Sequence, residues 1–291
     1  MAKSVAVIGA GGKMGARAAE KIGFSDVYNV LLCESQAERA QSLENKGLKV
    51  TPTEKAMGVA DFVVMAVPDA LIGLIARELV PQMKQGGTVI MLDAAAAYLG
   101  ELPERDGITQ MITHPCHPPF FTEQTTPEAR VDYFGGTAVQ DIIVSLIRGS
   151  DDSFAGGTEL CRAIFAPVNR AIRVTPEQFA FLEPAMSEIV VAAAANWMKQ
   201  SMELAIEKGV PREAAQAFMA GHAQIAMAIV FGAERSPFSD AAQLAIEWGT
   251  RKYISPEWRS IYERETLTGA VRDILTPPAS EVGLSKSETI R

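Results

Sequence analysis

Two histidines in a proline-rich turn are the first candidates for chemistry. Of the three histidines in the chain, His114 and His117 both lie in the sequence HPCHPP. Prolines restrict the backbone, which suits a site that must hold two imidazoles in place. A neutral imidazole can ligate a metal ion or accept a proton near pH 7. The turn follows a predicted strand at Met111 to Thr113, so we expect both rings in a site. The alternative is a rigid loop whose histidines only bond backbone carbonyls.

Two glutamates in an apolar helical segment are further candidates. Glu183 and Glu188 lie in FLEPAMSEIV, and an acid among such neighbours is costly to bury unless it is paired or bound to a metal. They could equally be helix N-terminal acids favoured by the helix dipole. His222, in FMAGHAQIAMAIVFG, lies on an apolar face where a core role is more common, so we keep it as a reserve ligand.

The metal chemistry open to these side chains is broad. Histidines combined with carboxylates suit Zn, Mn or Fe, and carboxylates alone suit Mg. The spacing of His114 and His117, with no third ligand nearby in the sequence, is not a specific zinc motif.

A glycine-dense turn near the N-terminus predicts a dinucleotide site. SVAVIGAGGKMG (4–15) reads as a buried strand followed by G-x-x-G-x-x-G, and a helical pattern continues after it. A strand, a glycine turn and a helix N-terminus together form the usual cradle for a dinucleotide diphosphate. The residues of this turn that we expect to bind the cofactor are Gly9, Gly12, Lys13, Met14 and Gly15.

An acid after the second strand favours NAD over NADP. The apolar segment 27–32 is followed by Glu34, about 20 residues after Gly15, where an acid bonds the adenosine ribose. Its carboxylate would repel a 2′-phosphate. Arg39 leaves the choice partly open, because its guanidinium could stack on adenine or meet such a phosphate.

The elements that position these residues alternate between strands and helices up to about residue 175. We predict strands over 27–32, 48–51, 61–67, 88–92, 139–147 and 170–174, and helices over 36–46, 70–83 and 153–164. This order predicts an α/β fold with a doubly wound, Rossmann-type parallel sheet in residues 1–175. Asp69 follows the strand 61–67, at the sheet edge where ligands bind, and we add it to the cofactor-binding residues.

The rest of the chain, 176–291, predicts an all-helical second domain. Helical patterns cover 176–208, 210–231, 240–248 and 256–274. The segment is rich in alanine and methionine, which suggests a homodimer packed through helices, with the site at the interface.

Composition limits the partners and the compartment. The net charge is −8 without a basic stripe, so we expect neither nucleic acid nor an anionic membrane as a partner. No apolar run approaches the length needed to span a bilayer, and the N-terminus lacks a signal-peptide pattern. Three widely spaced cysteines fit a reducing cytosol. We therefore expect a cytoplasmic protein that acts on a small molecule.

The motifs IGAGGKMG and AVPD, followed by long helices, resemble the 6-phosphogluconate and 3-hydroxyacid dehydrogenase superfamily. The resemblance covers most of the chain, with ketol-acid reductoisomerases as more distant relatives. The first long helix departs from the pattern. The superfamily carries a lysine and an asparagine one turn apart there, whereas this chain reads LEPAMSEIVV and has no lysine before Lys199. This departure favours a metal or carboxylate mechanism over one in which a lysine is the general base.

The sequences HPCHPPFF, FLEPAMSE and GHAQIAMAIVFG are together most similar to the D-apionate oxidoisomerases. This resemblance implies NAD-dependent oxidation of a branched sugar acid, coupled to a metal-assisted carbon shift that gives 3-oxo-isoapionate. On this basis we assign His114 and Glu183 to a divalent metal (Zn, Mg or Mn). His117 and Glu188 are assigned to proton transfer or substrate binding.

Two other functions fit the same sequence. One is a metal-independent 3-hydroxyacid dehydrogenase, and the other is a non-catalytic NAD-binding sensor.

Overall fold

The computed structural model describes residues 2–23 and 26–276. The chain forms two compact units. Of the described residues, the first unit contains those up to Ala180 together with 271–276, and the second is Phe181–Ala270. The domain boundary predicted from sequence lies at residue 175, and the first unit continues past it through the short helix Pro176–Ala180. Residues 277–291 of the predicted second domain lie outside the described residues.

One sheet forms the centre of the first unit. Its strands are β1 (Lys3–Ile8), β2 (Tyr28–Cys33), β3 (Phe62–Met65), β4 (Thr88–Met91), β5 (Thr109–Pro115), β6 (Gln140–Arg148) and β7 (Val168–Arg173). Their order is β2-β1-β3-β4-β5-β6-β7. The chain moves from β1 to β2 and then returns to β3 on the other side of β1. The carboxyl ends of β1 and β3 therefore border the crevice in which open α/β sheets bind ligands.

The strands β1, β3 and β4 are buried on both faces, as their continuous apolar sequences predict. The helices of this unit are α1 (Lys13–Gly23), α2 (Ala37–Asn45), α3 (Thr53–Met57), α4 (Asp69–Leu79), α5 (Ala95–Tyr98), α6 (Pro127–Arg130), α7 (Asp151–Ile164) and α8 (Pro176–Ala180), with a 3₁₀ turn at Val80–Gln82. The α/β class predicted from sequence is confirmed.

The sheet is dominated by parallel pairs, as predicted, and it contains one antiparallel pair that the sequence did not indicate. Strands β1 to β5 are all parallel to one another. Strand β6 runs antiparallel to β5, and β7 is parallel to β6. A parallel connection needs a crossover element, usually a helix. Between β5 and β6 the chain forms only the single-turn helix α6, and it returns alongside β5. The long helix α7 then supplies the crossover from β6 to β7.

The prediction of a strand over 48–51 was wrong. Only Val50 pairs, by a single bridge to Leu32. Pro52 follows at the start of α3, and a proline has no N–H to continue a strand ladder.

The second unit is helical in the described residues. Its elements are a π-helical segment Phe181–Ala192, α9 (Ala193–Glu207), α10 (Arg212–Val230), α11 (Asp240–Tyr253) and a 3₁₀ segment Pro256–Tyr262. Helix α12 (Arg264–Leu275) begins in this unit and ends in the first.

The single helix predicted over 176–208 is broken. Glu183 has φ −139° and ψ 121°, an extended conformation within the π-helical segment. Pro184 follows it, and the residue before a proline is pushed out of the helical region. The sequence did point to Pro184 as a kink, but the chain is fully extended there rather than bent.

One helical stretch, Pro176–Glu207, is long and apolar enough to cross a membrane by length and composition alone. The core helix of a soluble protein can have the same length and composition. The stretch contains the break at Glu183, and it is where we predicted site residues rather than a membrane span.

Candidate active site

The glycine turn lies at the carboxyl end of β1, and close packing requires glycine at two of its positions. Gly9 has φ +78°, and a Cβ there would lie 2.5 Å from the carbonyl oxygen of Ala66. A Cβ on Gly15 would collide with the Gly9 carbonyl and lie 2.8 Å from Ala10 Cα. The turn therefore holds α1 against the ends of β1 and β3 at a separation that other residues would not permit.

The first turn of α1 faces this crevice. The Gly12 N–H donates to the Gly9 carbonyl over 3.0 Å, and Lys13 and Met14 are the first two residues of the helix. N–H groups in the first turn of a helix have no partner within it. Together with the helix dipole they attract an anion such as a diphosphate. Cofactor binding by Gly9, Gly12, Lys13, Met14 and Gly15 remains a prediction for these individual residues.

Backbone N–H groups fix both carboxylate oxygens of Glu34. Oε2 accepts from the Gly11 N–H and Oε1 from the Gln36 N–H, each over 2.9 Å. Glu34 also lines a cavity of about 400 Å³ with Arg39 and Pro68, beside the glycine turn. The arrangement places a fixed negative charge where the adenosine ribose of a dinucleotide is expected.

A second acidic position lies at the ends of the neighbouring strands β3 and β4. Asp69 is the first residue of α4. Burial, and then the nearby Asp93, raise the pKa of Asp69 to about 6. Asp93 follows β4, and its Oδ1 accepts the Ala95 N–H over 2.7 Å. This carboxyl edge thus holds two acids beside the predicted cofactor crevice.

The two histidines of the proline-rich turn lie at the end of β5. Their ring centroids are 6.0 Å apart and edge to face. His114 Nδ1 lies 2.9 Å from the Pro115 carbonyl, and His117 Nδ1 lies 3.0 Å from the Phe134 carbonyl. A carbonyl only accepts, so Nδ1 donates in both rings, and in a neutral ring the lone pair is then on Nε2. Nε2 is therefore the atom of each ring suited to take a proton or bind a metal.

The electrostatics of His114 favour the neutral form. Burial, the largest effect, lowers the pKa of His114 to about 4; its bond to Pro115 raises the pKa and the neighbouring His117 lowers it further. A ring that is neutral at pH 7 is the form that ligates metals.

Phe134 joins the histidine turn to the predicted cofactor helix. The Lys13 ammonium lies 3.9 Å from the Phe134 ring centroid, and the His117 ring lies 5.1 Å from it on centroids. The Phe134 carbonyl also accepts from Arg17 Nη1 over 3.3 Å. Phe134 and Arg17 are not among the site residues predicted from sequence. The signal that could have found them is the turn-forming sequence DYFGG (132–136), which lies between two strands.

The remaining predicted site residues belong to the second unit. Glu183 is buried at the break in the π-helical segment, whereas Glu188 is exposed. His222 Nδ1 bonds the Phe218 carbonyl within α10 over 2.9 Å, and the two rings stack at 3.9 Å. The first unit therefore brings His114 and His117 together. Within the ranges 2–23 and 26–276, no three His, Cys, Asp or Glu side chains form a group that could hold a metal ion. The metal pair of His114 and Glu183 remains a prediction.

Two family models match the chain in succession. Residues 1–122 match the NADPH-binding domain of acetohydroxy acid isomeroreductase, and residues 122–275 match the C-terminal domain of decarboxylating phosphogluconate dehydrogenase. The D-apionate oxidoisomerase of Cupriavidus necator is 40% identical over 94% of this chain and 100% of its own length. That of Blautia hydrogenotrophica is 40% identical over 96% of this chain and 98% of its own. This chain belongs to the D-apionate oxidoisomerase family.

Solved structures agree with the family assignment. A semialdehyde dehydrogenase NAD-binding protein from Cupriavidus necator, in complex with calcium and NAD, has a TM-score of 0.90 and 40% identity, and the match covers 94% of this chain and all of the other. A Jannaschia oxidoreductase has a TM-score of 0.87 and 38% identity, over 94% of this chain and 99% of its own. The chain also shares its fold with an NADH-preferring ketol-acid reductoisomerase from an uncultured archaeon. The TM-score is 0.64 and the identity 17%, over 98% of this chain and 85% of the other, so this match shows the fold alone.

Membership of the D-apionate oxidoisomerase family confirms three predictions made from sequence. The chain is an NAD-dependent oxidoreductase acting on CH–OH groups. It has the Rossmann-type α/β fold with a helical C-terminal part, and it belongs to the family that its motifs resemble. The alternative of a non-catalytic sensor is set aside.

Proposed function

We propose that this enzyme oxidises D-apionate with NAD and rearranges the product to 3-oxo-isoapionate. The observation that carries the proposal is the 40% identity to D-apionate oxidoisomerases over nearly the full length of both chains. The structure supplies supporting chemistry in the glycine turn, the fixed Glu34 carboxylate and the paired histidines at the end of β5.

The first step is oxidation at C2 of the sugar acid. The C2 hydrogen leaves as hydride to the nicotinamide of NAD, the C2–O bond becomes a carbonyl, and the hydroxyl proton passes to a base. We assign that proton to His117, whose lone pair is on Nε2 because Nδ1 donates to the Phe134 carbonyl. Glu188, exposed in the second unit, is the other proton-transfer residue of the proposal.

The second step moves one carbon without further redox change. A hydroxymethyl group migrates with its bonding electrons from C3 to the C2 carbonyl carbon. The C3 hydroxyl loses its proton and becomes the new carbonyl, and the C2 oxygen gains a proton. The product is a 3-oxo acid with the same composition as the first ketone, so only the initial hydride leaves the substrate.

We assign a divalent metal (Zn, Mg or Mn) to His114 and Glu183. His114 fits this role because its Nδ1 faces the Pro115 carbonyl and its neutral form dominates at pH 7. Glu183 offers a buried carboxylate. The metal, when bound, would supply Lewis-acid polarisation of the substrate oxygens during the carbon shift. His222 remains the reserve ligand.

We also propose a cytoplasmic homodimer that has no nucleic acid or membrane as a partner. Cys33, Cys116 and Cys161 are free thiols, which fits a reducing compartment. Large apolar residues that stay exposed in the second unit, such as Trp197 and Leu244, support the dimer.

The test is NADH formation with D-apionate, followed by NMR of the product, before and after treatment with EDTA. The expected result is NADH together with a rearranged product whose formation is sensitive to the chelator. NADH with an unrearranged 2-keto acid would contradict the isomerase step and identify a simple hydroxyacid dehydrogenase. His114→Ala and Glu183→Ala should each lose bound metal and turnover. Normal turnover and metal content in both variants would rule out the metal site.

A further inference from the structure

A tight turn around Asp132 is held together by its own carboxylate. Asp132 Oδ1 accepts the Gly135 N–H over 2.9 Å. Oδ2 accepts the N–H groups of Thr137 and Ala138 over 2.8 and 3.0 Å. Three bonds from one side chain to the backbone on the far side of Phe134 fix the path of the chain between them. We call residues 132–138 the Asp132 turn.

The Asp132 turn is also docked on α1. The Phe134 carbonyl accepts from Arg17 Nη1 over 3.3 Å, and the Gly136 carbonyl accepts from Lys21 Nζ over 2.6 Å. Arg17 and Lys21 lie one turn apart on α1, so they face the turn together. The orientation of the Phe134 carbonyl is therefore set from both sides, by the carboxylate within the turn and by the two cations beneath it.

The Phe134 carbonyl determines which nitrogen of His117 carries the proton. It lies 3.0 Å from His117 Nδ1, and the nitrogen that donates to a carbonyl must hold the hydrogen. His117 itself has φ +60°, an uncommon conformation for a residue other than glycine. The Phe134 carbonyl therefore favours the Nδ1–H tautomer of the His117 ring.

We propose that Asp132 is a positioning residue that keeps His117 in the Nδ1–H tautomer, with the lone pair on Nε2, by orienting the Phe134 carbonyl. This inference rests on the proposed role of His117 in proton transfer. A ring in the opposite tautomer would present a hydrogen instead of a lone pair to the substrate hydroxyl, and it could not accept the proton. Loss of the correct tautomer is known to be costly where a histidine acts as a base.

The direct test is ¹⁵N NMR of the imidazole nitrogens in the full-length protein. Three histidines give three ring systems, and His117→Gln assigns the one of interest. In the unaltered protein His117 is expected to show a protonated Nδ1 and an unprotonated Nε2. In Asp132→Asn the amide NH₂ replaces one acceptor, and we expect the His117 signals to move toward a mixture of tautomers.

Kinetics then separate positioning from binding. We expect Asp132→Asn to lower kcat by about tenfold or more, with KM and the Kd for NAD changed by less than about twofold. Asp61→Asn is the matched control. Asp61 also accepts a backbone N–H, that of Ser4 over 2.8 Å, but it lies before β3, at the opposite end of the sheet. It should alter neither the His117 signals nor kcat.

An unchanged His117 spectrum in Asp132→Asn would overturn the proposal whatever the turnover. If that variant does not fold, Asp132→Ser, which removes one acceptor oxygen and the charge, takes its place, and an unchanged His117 spectrum there would count equally against the proposal. The premise that His117 transfers the proton fails by a different result, namely normal turnover in His117→Gln, and the proposed function fails if NMR shows an unrearranged product. These failures are therefore distinguishable.

Discussion

The surroundings of His114 make protonation of this residue a cost to the folded protein. Its pKa is lowered from 6.5 to about 4, chiefly by burial. Between these values the unfolded chain binds the proton and the folded chain does not, so stability is lost as pH falls from 6.5 toward 4. We expect the Tm of the chelator-treated protein to fall more than that of His114→Gln between pH 7 and pH 4.5, by about 2–4 °C. Parallel curves of Tm against pH, measured by calorimetry, would contradict this.

A second prediction at the residue scale concerns cofactor choice by Glu34. Its carboxylate is fixed by the N–H groups of Gly11 and Gln36, so it cannot turn away from a 2′-phosphate. In Glu34→Gln the charge is lost while one oxygen can still accept. We expect the ratio of kcat/KM for NADP over NAD to rise about tenfold, which corresponds to ~1.4 kcal/mol. Glu54→Gln, which neutralises another acid of the same cavity, should change the ratio by less than about twofold. Equal effects of the two variants would show that only overall charge matters.

At the scale of elements, the contact between β1 and α1 depends on Gly15. A Cβ there meets the Gly9 carbonyl and Ala10 Cα, both of which are backbone and cannot move aside as a flexible side chain would. We expect Gly15→Ala to destabilise the protein by about 1–3 kcal/mol, the usual cost of overpacking, and to weaken NAD binding because the helix must shift. Gly23→Ala is the control in the same helix. A Cβ at Gly23 meets nothing within 4 Å, so this change should be neutral or slightly stabilising. Denaturant unfolding of both variants is the measurement.

The strands, helices and turns differ in how far they could be predicted from the sequence. Local signals were sufficient for the glycine turn, the buried strands and most helices, because apolar runs and glycine spacing reflect local backbone needs. The reversed direction of β6 was missed because strand direction depends on what connects two strands, and the apolar pattern of a strand is the same in either direction. The break at Glu183 was only partly anticipated from Pro184. The turn-forming sequence DYFGG marks the place of Phe134, but its contacts with His117 and Arg17 run through a backbone carbonyl that any residue could provide.

At the scale of the whole molecule, the second unit leaves many large apolar side chains exposed in the single chain. Among the described residues, α9 and α11 contain no buried side chain. Large apolar residues stay exposed, among them Trp197 (50%), Phe218 (68%) and Leu244 (67%). Exposed apolar patches of this kind mark interaction surfaces. A second copy of the chain is the partner we propose, because most soluble oligomers are symmetric assemblies of one chain.

The homodimer is tested by light scattering after size-exclusion chromatography. With a chain mass of 31.2 kDa, we expect about twice that mass at micromolar concentration. Leu244→Asp places a charge on the exposed face of α11 and should shift the protein toward monomer, with loss of helical signal as the unpartnered helices loosen. Leu74→Asp is matched to it, because Leu74 is an exposed leucine on a helix of the first unit, and it should leave the dimer intact. A monomeric unaltered protein would exclude the homodimer.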